Sequence, residues 1–149
     1  TLTKGTGVIN RIFHSYGEYT GDMEGRRNGA LISMENGKAV AFAIFNLQAR
    51  GEMFVTHNDP VYEGMIVGLS SKSGDLEINV LKGKKLTNMR TQGTDENVVL
   101  TPVRKIAIAE QLSMLNTDEA LEITPKSCRL RKLILNPHER KRQSRAKAS

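Results

Sequence analysis

With 149 residues, 38% of them hydrophobic and 26% charged, the chain can bury a sizeable core and is not composed like a disordered protein. No apolar run approaches the ~20 residues a membrane-spanning helix needs, no secretory leader pattern is visible, and a single cysteine excludes an internal disulfide. The net charge of +6 is unevenly placed: residues 1–81 hold 7 Lys/Arg against 9 Asp/Glu, whereas residues 82–149 hold 15 against 7. Any anionic partner is therefore expected to meet the second half.

The chain opens on Thr1, without Met, and reads as a piece of a longer protein. Residues 6–16, Thr-Gly-Val-Ile-Asn-Arg-Ile-Phe-His-Ser-Tyr, are β-branched and aromatic between glycines and predict a strand. His14 within it is expected to pack or to hydrogen-bond at the rim. Gly17 to Asn28 is glycine- and charge-rich, as in a linker.

Ala30–Met34 and Lys38–Leu47 flank Asn36-Gly37, the strongest short hairpin signal, because both residues tolerate the positive φ of a type I′ turn. The unbroken apolar run Ala39–Phe45 predicts a strand covered on both faces. Met53–Val55 and Gly64–Gly68 predict two further strands around a His57-Asn-Asp-Pro60 turn. His57 and Asp59 have no third ligand nearby, so a turn role is expected for them over a metal site.

The stretch Lys82-Gly-Lys-Lys-Leu-Thr-Asn-Met-Arg-Thr-Gln-Gly-Thr94 organises the second half. Lys82, Lys84, Lys85 and Arg90 fall within nine positions, and no acid appears before Asp95. Neither a helical nor an alternating apolar pattern is sustained, so the segment has no means of burying itself. Strand-like Leu76–Leu81 and Val98–Thr101 hold its two ends. Two readings stand: a solvated connection, or a loop that reaches into polyanion, where attraction needs cations and reach more than fixed shape. Lysines act there as point charges, Arg90 can pair bidentately with phosphate, and Thr87 and Asn88 suit sugar hydroxyls or base edges.

Beyond the basic stretch, Ile106, Ala109, Leu112 and Leu115 recur at helical spacing and predict one short helix of about ten residues. Ala120–Thr124 predicts a strand stopped by Pro125. In Ser127–Arg131, alternation puts Arg129 and Arg131 on one face and Cys128 and Leu130 on the other. With Lys132, that basic face is either an anion contact or the wet side of an edge strand. Cys128 is expected to be a buried structural thiol. Residues 136–149, with Pro137 at a plausible helix start and Arg140, Lys141 and Arg142 following, predict a frayed basic helix or a disordered tail.

Phosphate-cradling glycine loops, metal-spaced Cys/His clusters and catalytic serine signatures are all missing from this sequence. The few aromatic residues sit in apolar strands, which argues against a base-stacking platform. From the residues alone the chain is an α+β, mostly β binding module, with no catalytic residues and no metal ligands assigned.

Six segments in order resemble one family. They are Gly5-Thr-Gly-Val-Ile-Asn10, Gly25–Met34, Ala43-Ile-Phe-Asn-Leu-Gln48, Val61–Gly68, Lys84-Lys-Leu-Thr-Asn-Met-Arg90 and Thr124–Lys132. Together they are similar to the C-terminal part of the BipA (TypA) family, translational GTPases related to elongation factor G and LepA. The resemblance implies that residues 1–20 end a ferredoxin-like domain and that residues 21–135 form a β-rich, barrel-like C-terminal domain with one short helix. It makes 136–149 a basic tail. It also implies that the loop at 82–97 reaches the acceptor end of A-site tRNA and large-subunit rRNA, with Lys82, Lys84, Lys85, Thr87, Asn88, Arg90, Arg129, Arg131 and Lys132 as candidate RNA contacts. GTP and Mg²⁺ would belong to a G domain outside this chain, which itself would carry no cofactor and no activity. The partners implied are the ribosome and the parent's upstream domains, the protein a monomer in the cytoplasm, bacterial or plastid, acting in stress and cold adaptation and in subunit assembly. Ala107 stands where relatives often have Ser, a lost N-cap worth about 1 kcal/mol.

Overall fold

The computed structural model describes residues 7–8, 10, 12–18, 26–83 and 99–148. Among these described residues eight strands run β1 (Ala30–Ser33), β2 (Gly37–Lys38), β3 (Gly51–Met53), β4 (Pro60–Val61), β5 (Ile66–Ser70), β6 (Leu76–Ile78), β7 (Glu119–Ile123) and β8 (Cys128–Lys132). Three helices join them: α1 (Ala41–Leu47, continued by a 3₁₀ turn to Arg50), α2 (Ile108–Ser113) and α3 (Pro137–Ala148). The class is α+β, mostly β, as expected, although with three helices where one was predicted. Among the described residues the strands fall into three sheets, in place of a single barrel-like wall: four strands in the order β3-β5-β1-β6, and the pairs β2-β4 and β7-β8.

Strand β1 is the centre of the fold. It pairs antiparallel with β5, through a register shift between Leu31 and Ile32, and parallel with β6. All four of its residues are buried, because both faces are covered. Leu31 and Val67 turn towards Ala39, Ile44, Val61 and Val80, the layer formed by α1 and β2-β4. Ala30, Ile32 and Ile66 turn the other way, onto Leu130 of β8, with Leu115 and Leu121 packed beside them. The result is three layers, with the four-stranded sheet in the middle.

Ala30–Ser33 is thus a strand buried on both faces, and the run Ala39–Phe45 that was expected to be one is largely α1. Apolar runs of this length fit either period, and here the helical one wins: Ala43, Ile44 and Leu47 share a face towards the core. Asn36-Gly37 does not close a hairpin, since β2 pairs with β4 and not with β1. Instead the Asn36 amide oxygen accepts from the Glu63 N–H at 2.8 Å. Residues 99–107 carry no strand, and neither do the described residues among 6–16. Val8, Ile12, Phe13 and Tyr16 are between 73% and 95% exposed; a strand exists only through pairing, and no described segment pairs with this one.

The turn at His57–Pro60 is built as a turn. Asn58 adopts φ 69°, a left-handed conformation that Asn tolerates, and the Asp59 carboxylate accepts from the Thr56 N–H at 2.7 Å. His57 Nδ1 accepts from the Ala41 N–H at 3.2 Å, which caps α1 from across the fold. Ala107 is the N-cap of α2 and makes no side-chain bond there.

Candidate nucleic-acid interface

The basic stretch is held at both ends by the layer around α1. On the entry side Val80 is buried, its carbonyl accepting from the Val40 N–H at 2.9 Å, and Leu81 packs against the core. On the exit side Gln48, at the end of α1, receives the Thr101 N–H at 3.0 Å and the Thr101 hydroxyl at 3.1 Å, and donates to the Val99 carbonyl at 3.4 Å. A seven-residue helix is about 10 Å long, so the described residues on either side of the stretch meet the core beside one short element. Lys82 is exposed at this base. Lys84, Lys85, Thr87, Asn88 and Arg90 lie outside the described residues.

The second candidate surface is β8. Arg129 and Arg131 are half-buried on its outer face. Arg129 lies 3.7 Å from Glu122 on β7, and the Tyr62 hydroxyl donates to the same carboxylate at 2.5 Å. Burial, then that bond to a charged acceptor, raises the Tyr62 phenol to about 12.

Lys132 is a correction. It does not join the two arginines on an anion-facing surface; it is 1% exposed, because alternation along β8 turns it to the Leu130 side. Its ammonium donates to Asp75 at 2.5 Å, Asp118 at 2.7 Å and Glu119 at 2.9 Å. Arg26 completes the group, donating to Glu119 at 2.9 and 3.2 Å with Asp75 4.0 Å away. Burial acts to lower the Lys132 ammonium's pKa, but its three carboxylate partners outweigh that and raise it. Burial alone would raise the Asp75 carboxyl; donation from the Ala30 N–H and the Lys132 ammonium, with both cations' charge, holds it low. The cluster ties the segment before β1, the start of β6 and both strands of the hairpin together. Sequence reading missed it because its members are scattered from 26 to 132.

Of the two forms expected for the tail, the structure has the helix. α3 forms with Pro137 in its first turn, and Asn136 Oδ1 accepts from the His138 N–H at 2.9 Å. Arg140 is no free tail cation: it meets Glu77 at 3.2 Å and donates to the Ile134 carbonyl at 2.8 Å and to that of Leu135. Among the described residues no group of three or more His, Cys, Asp or Glu side chains is placed to hold a metal ion.

Layered sheets with three helices define a small, mostly β domain of the α+β class. Residues 28–137 match the family model of the TypA/BipA C-terminal domain, and the chain belongs to that family. It is 52% identical over 97% of its length to the Large ribosomal subunit assembly factor BipA of Buchnera aphidicola subsp. Schizaphis graminum. It is 48% identical to the proteins of the same name from Escherichia coli K12, over 98% of its length, and Salmonella typhimurium LT2, over 97%. The chain spans about a quarter, 24%, of the length of each of these relatives.

Proposed function

We propose that this chain is the RNA-contacting C-terminal domain of a ribosome-associated translational GTPase that acts in assembly of the large subunit. It performs no chemistry itself; GTP and Mg²⁺ belong to a G domain elsewhere in the parent. Residues 82–97 contact the acceptor end of A-site tRNA and large-subunit rRNA by neutralising phosphates, with Arg129 and Arg131 as a second contact. Lys132 drops out of the contact set because its ammonium is engaged inside. The observation that carries this reading is the excess of cations in residues 82–149, at a stretch whose ends are both braced on the core beside α1. The relatives' shared name, a large-subunit assembly factor, supports the ribosome as the polyanion.

The test is co-sedimentation of the full-length protein with ribosomes, with a nonhydrolysable GTP analogue, across a salt series. Changing Lys82, Lys84, Lys85 and Arg90 together to Ala should weaken binding and flatten its salt slope by about 0.7–0.9 for each phosphate that is no longer neutralised. Superimposed curves for variant and wild type would overturn the loop assignment. A second reading, a module that packs against the parent's other domains, is favoured by the exposed Val8, Ile12, Phe13 and Tyr16; it predicts those superimposed curves.

A further inference from the structure

Between residues 54–59, the segment 103–106 and β8 lies a half-open cavity of about 720 Å³, a size typical of small-ligand sites. Its floor is apolar, with Phe54 half-buried and packed on the cluster that includes Ile66 and Leu130. Arg104, Lys105, Lys126 and Arg129 stand on its rim against one acid, Asp59, whose carboxylate already accepts from the Thr56 N–H and hydroxyl. Arg104 and Arg129 are partly neutralised by Glu52, Glu110 and Glu122. Lys105 and Lys126 are exposed and form no ion pair among the described residues. Gln111 lines the same wall: its amide nitrogen donates to the Ile106 carbonyl at 3.1 Å, and its Oε1 is buried without a partner. An unmet buried acceptor is a net cost to the fold, which a donor entering at that wall would recover.

We propose that this pocket receives one unstacked nucleotide of a single-stranded RNA segment, its base against Phe54 and the apolar floor and its flanking phosphates at Lys105 and Lys126. The chemistry is that of sequence-tolerant single-strand binding, in which an aromatic or apolar face takes a base and cations track the backbone. Exposed cations at the rim and an unmet acceptor in the wall favour a nucleotide over an apolar ligand. The proposal rests on the RNA-contacting reading above and assigns it a second, separate foothold away from residues 82–97.

Cys128, the chain's one cysteine, lines the pocket as a free, half-buried thiol and reports on its occupancy. The full-length protein is alkylated with and without a short single-stranded oligoadenylate or oligouridylate, and the Cys128 peptide is quantified by mass spectrometry. A bound base should slow alkylation by about fivefold or more, since a pocket ligand buries most of its own surface there. Lys105→Ala with Lys126→Ala should abolish that protection, while the variant with Lys84, Lys85 and Arg90 changed to Ala should keep it. Equal protection by inorganic phosphate, or by an acidic peptide at the same concentration, overturns base recognition. No protection by RNA overturns the pocket, as does a Cys128 already unreactive in the free full-length protein, where another segment would cover it. Protection that survives alongside unchanged ribosome binding by the loop variant sinks the loop reading and leaves the pocket; the reverse pattern sinks the pocket alone.

Discussion

At the inner face of the β7-β8 hairpin Lys132 and Arg26 are surrounded by Asp75, Asp118 and Glu119, whereas at the pocket rim and the base of the basic stretch Lys105, Lys126 and Lys82 stand exposed. Each of these cations counts the same in a tally of positive charge. They differ in what replaces water around the cation. In the first, carboxylates from β7, the turn before it and the start of β6 do so, and the charge contributes to the shape of the domain. In the second, solvent still does, and the charge remains available to a phosphate. Basic composition therefore localises a polyanion surface only after the inward-facing cations are subtracted. Strand β8 shows the subtraction among its three candidates: Arg129 and Arg131 remain, Lys132 goes.

The largest expected effect follows from breaking the inner region. Lys132→Met takes the ammonium from Asp75, Asp118 and Glu119 and leaves buried Glu119 with Arg26 as its remaining cation, and removing one member of a buried ion group typically costs about 3–5 kcal/mol. For a chain of this size the thermal midpoint should fall by roughly 10 °C or more, read by circular dichroism. A shift within a degree or two would mean that the cluster is solvated and the comparison fails. The wild type should also show the cluster in its pH profile. Asp75 has a lowered pKa, so its contribution is complete above its ordinary value of 3.8 and is lost as pH falls below it. Lys132 has a raised one, so its contribution is complete below 10.5 and is lost as pH rises beyond it.

Next in size is the hairpin's second attachment. The Gly64 carbonyl accepts from the Lys132 N–H at 2.9 Å. Gly64 itself has φ +82°, and a Cβ there would lie 2.7 Å from the Leu135 Cα. Gly64→Ala combines a left-handed backbone with a backbone collision and should cost about 2–3 kcal/mol. Denaturant midpoints measure it, and Gly74→Ala, with φ +94° but nothing within 4 Å, is the control that carries the conformational cost without the collision.

How far the sequence anticipated these regions depends on range. β7, β8 and α3 were legible because alternation and a proline at a helix start are local signals, and alternation alone would have sent Lys132 inward had its position in a basic run not drawn attention to its charge. α1 was misread because an apolar run of seven carries no period strong enough to separate a helix from a buried strand. The deciding facts, His57 capping Ala41 and Val61 packing in Ile44's cluster, come from about fifteen residues away. The ion cluster and the pocket were invisible for the same reason: Arg26, Asp75 and Lys132, or Phe54, Lys105 and Lys126, are neighbours only once β1 has gathered its partners.

A smaller effect marks the border between the two regions, on the outer face of the hairpin. Tyr62→Phe removes one bond to Glu122 at a half-exposed site and should cost about 1 kcal/mol. Spectrophotometric titration gives the sharper test: the Tyr62 phenol should ionise near 12, and that step should vanish in the variant. Because its pKa is raised, the stability it adds is complete below about 10 and disappears as pH climbs towards 12. An ordinary titration for Tyr62 would show that Glu122 is turned to Arg129 alone.

The smallest stability effect belongs to Gln48→Ala, and it bears most directly on what the outward cations do. The three bonds from Gln48 to Val99 and Thr101 lie at the surface, open to competition from water, so the loss in folding stability should be under about 1 kcal/mol. Yet those bonds hold the described residues that follow the basic stretch, and Val80 holds those that precede it. If the phosphates are met by a segment that a braced base presents in register, releasing one end raises the entropy cost of binding. Ribosome affinity should then fall about threefold, equivalent to roughly 0.6 kcal/mol, with the salt slope unchanged because no cation has been removed. If affinity and slope both match the wild type, the stretch binds as a tethered string of charges whose attachment is immaterial, and what distinguishes the outward region is its charge alone.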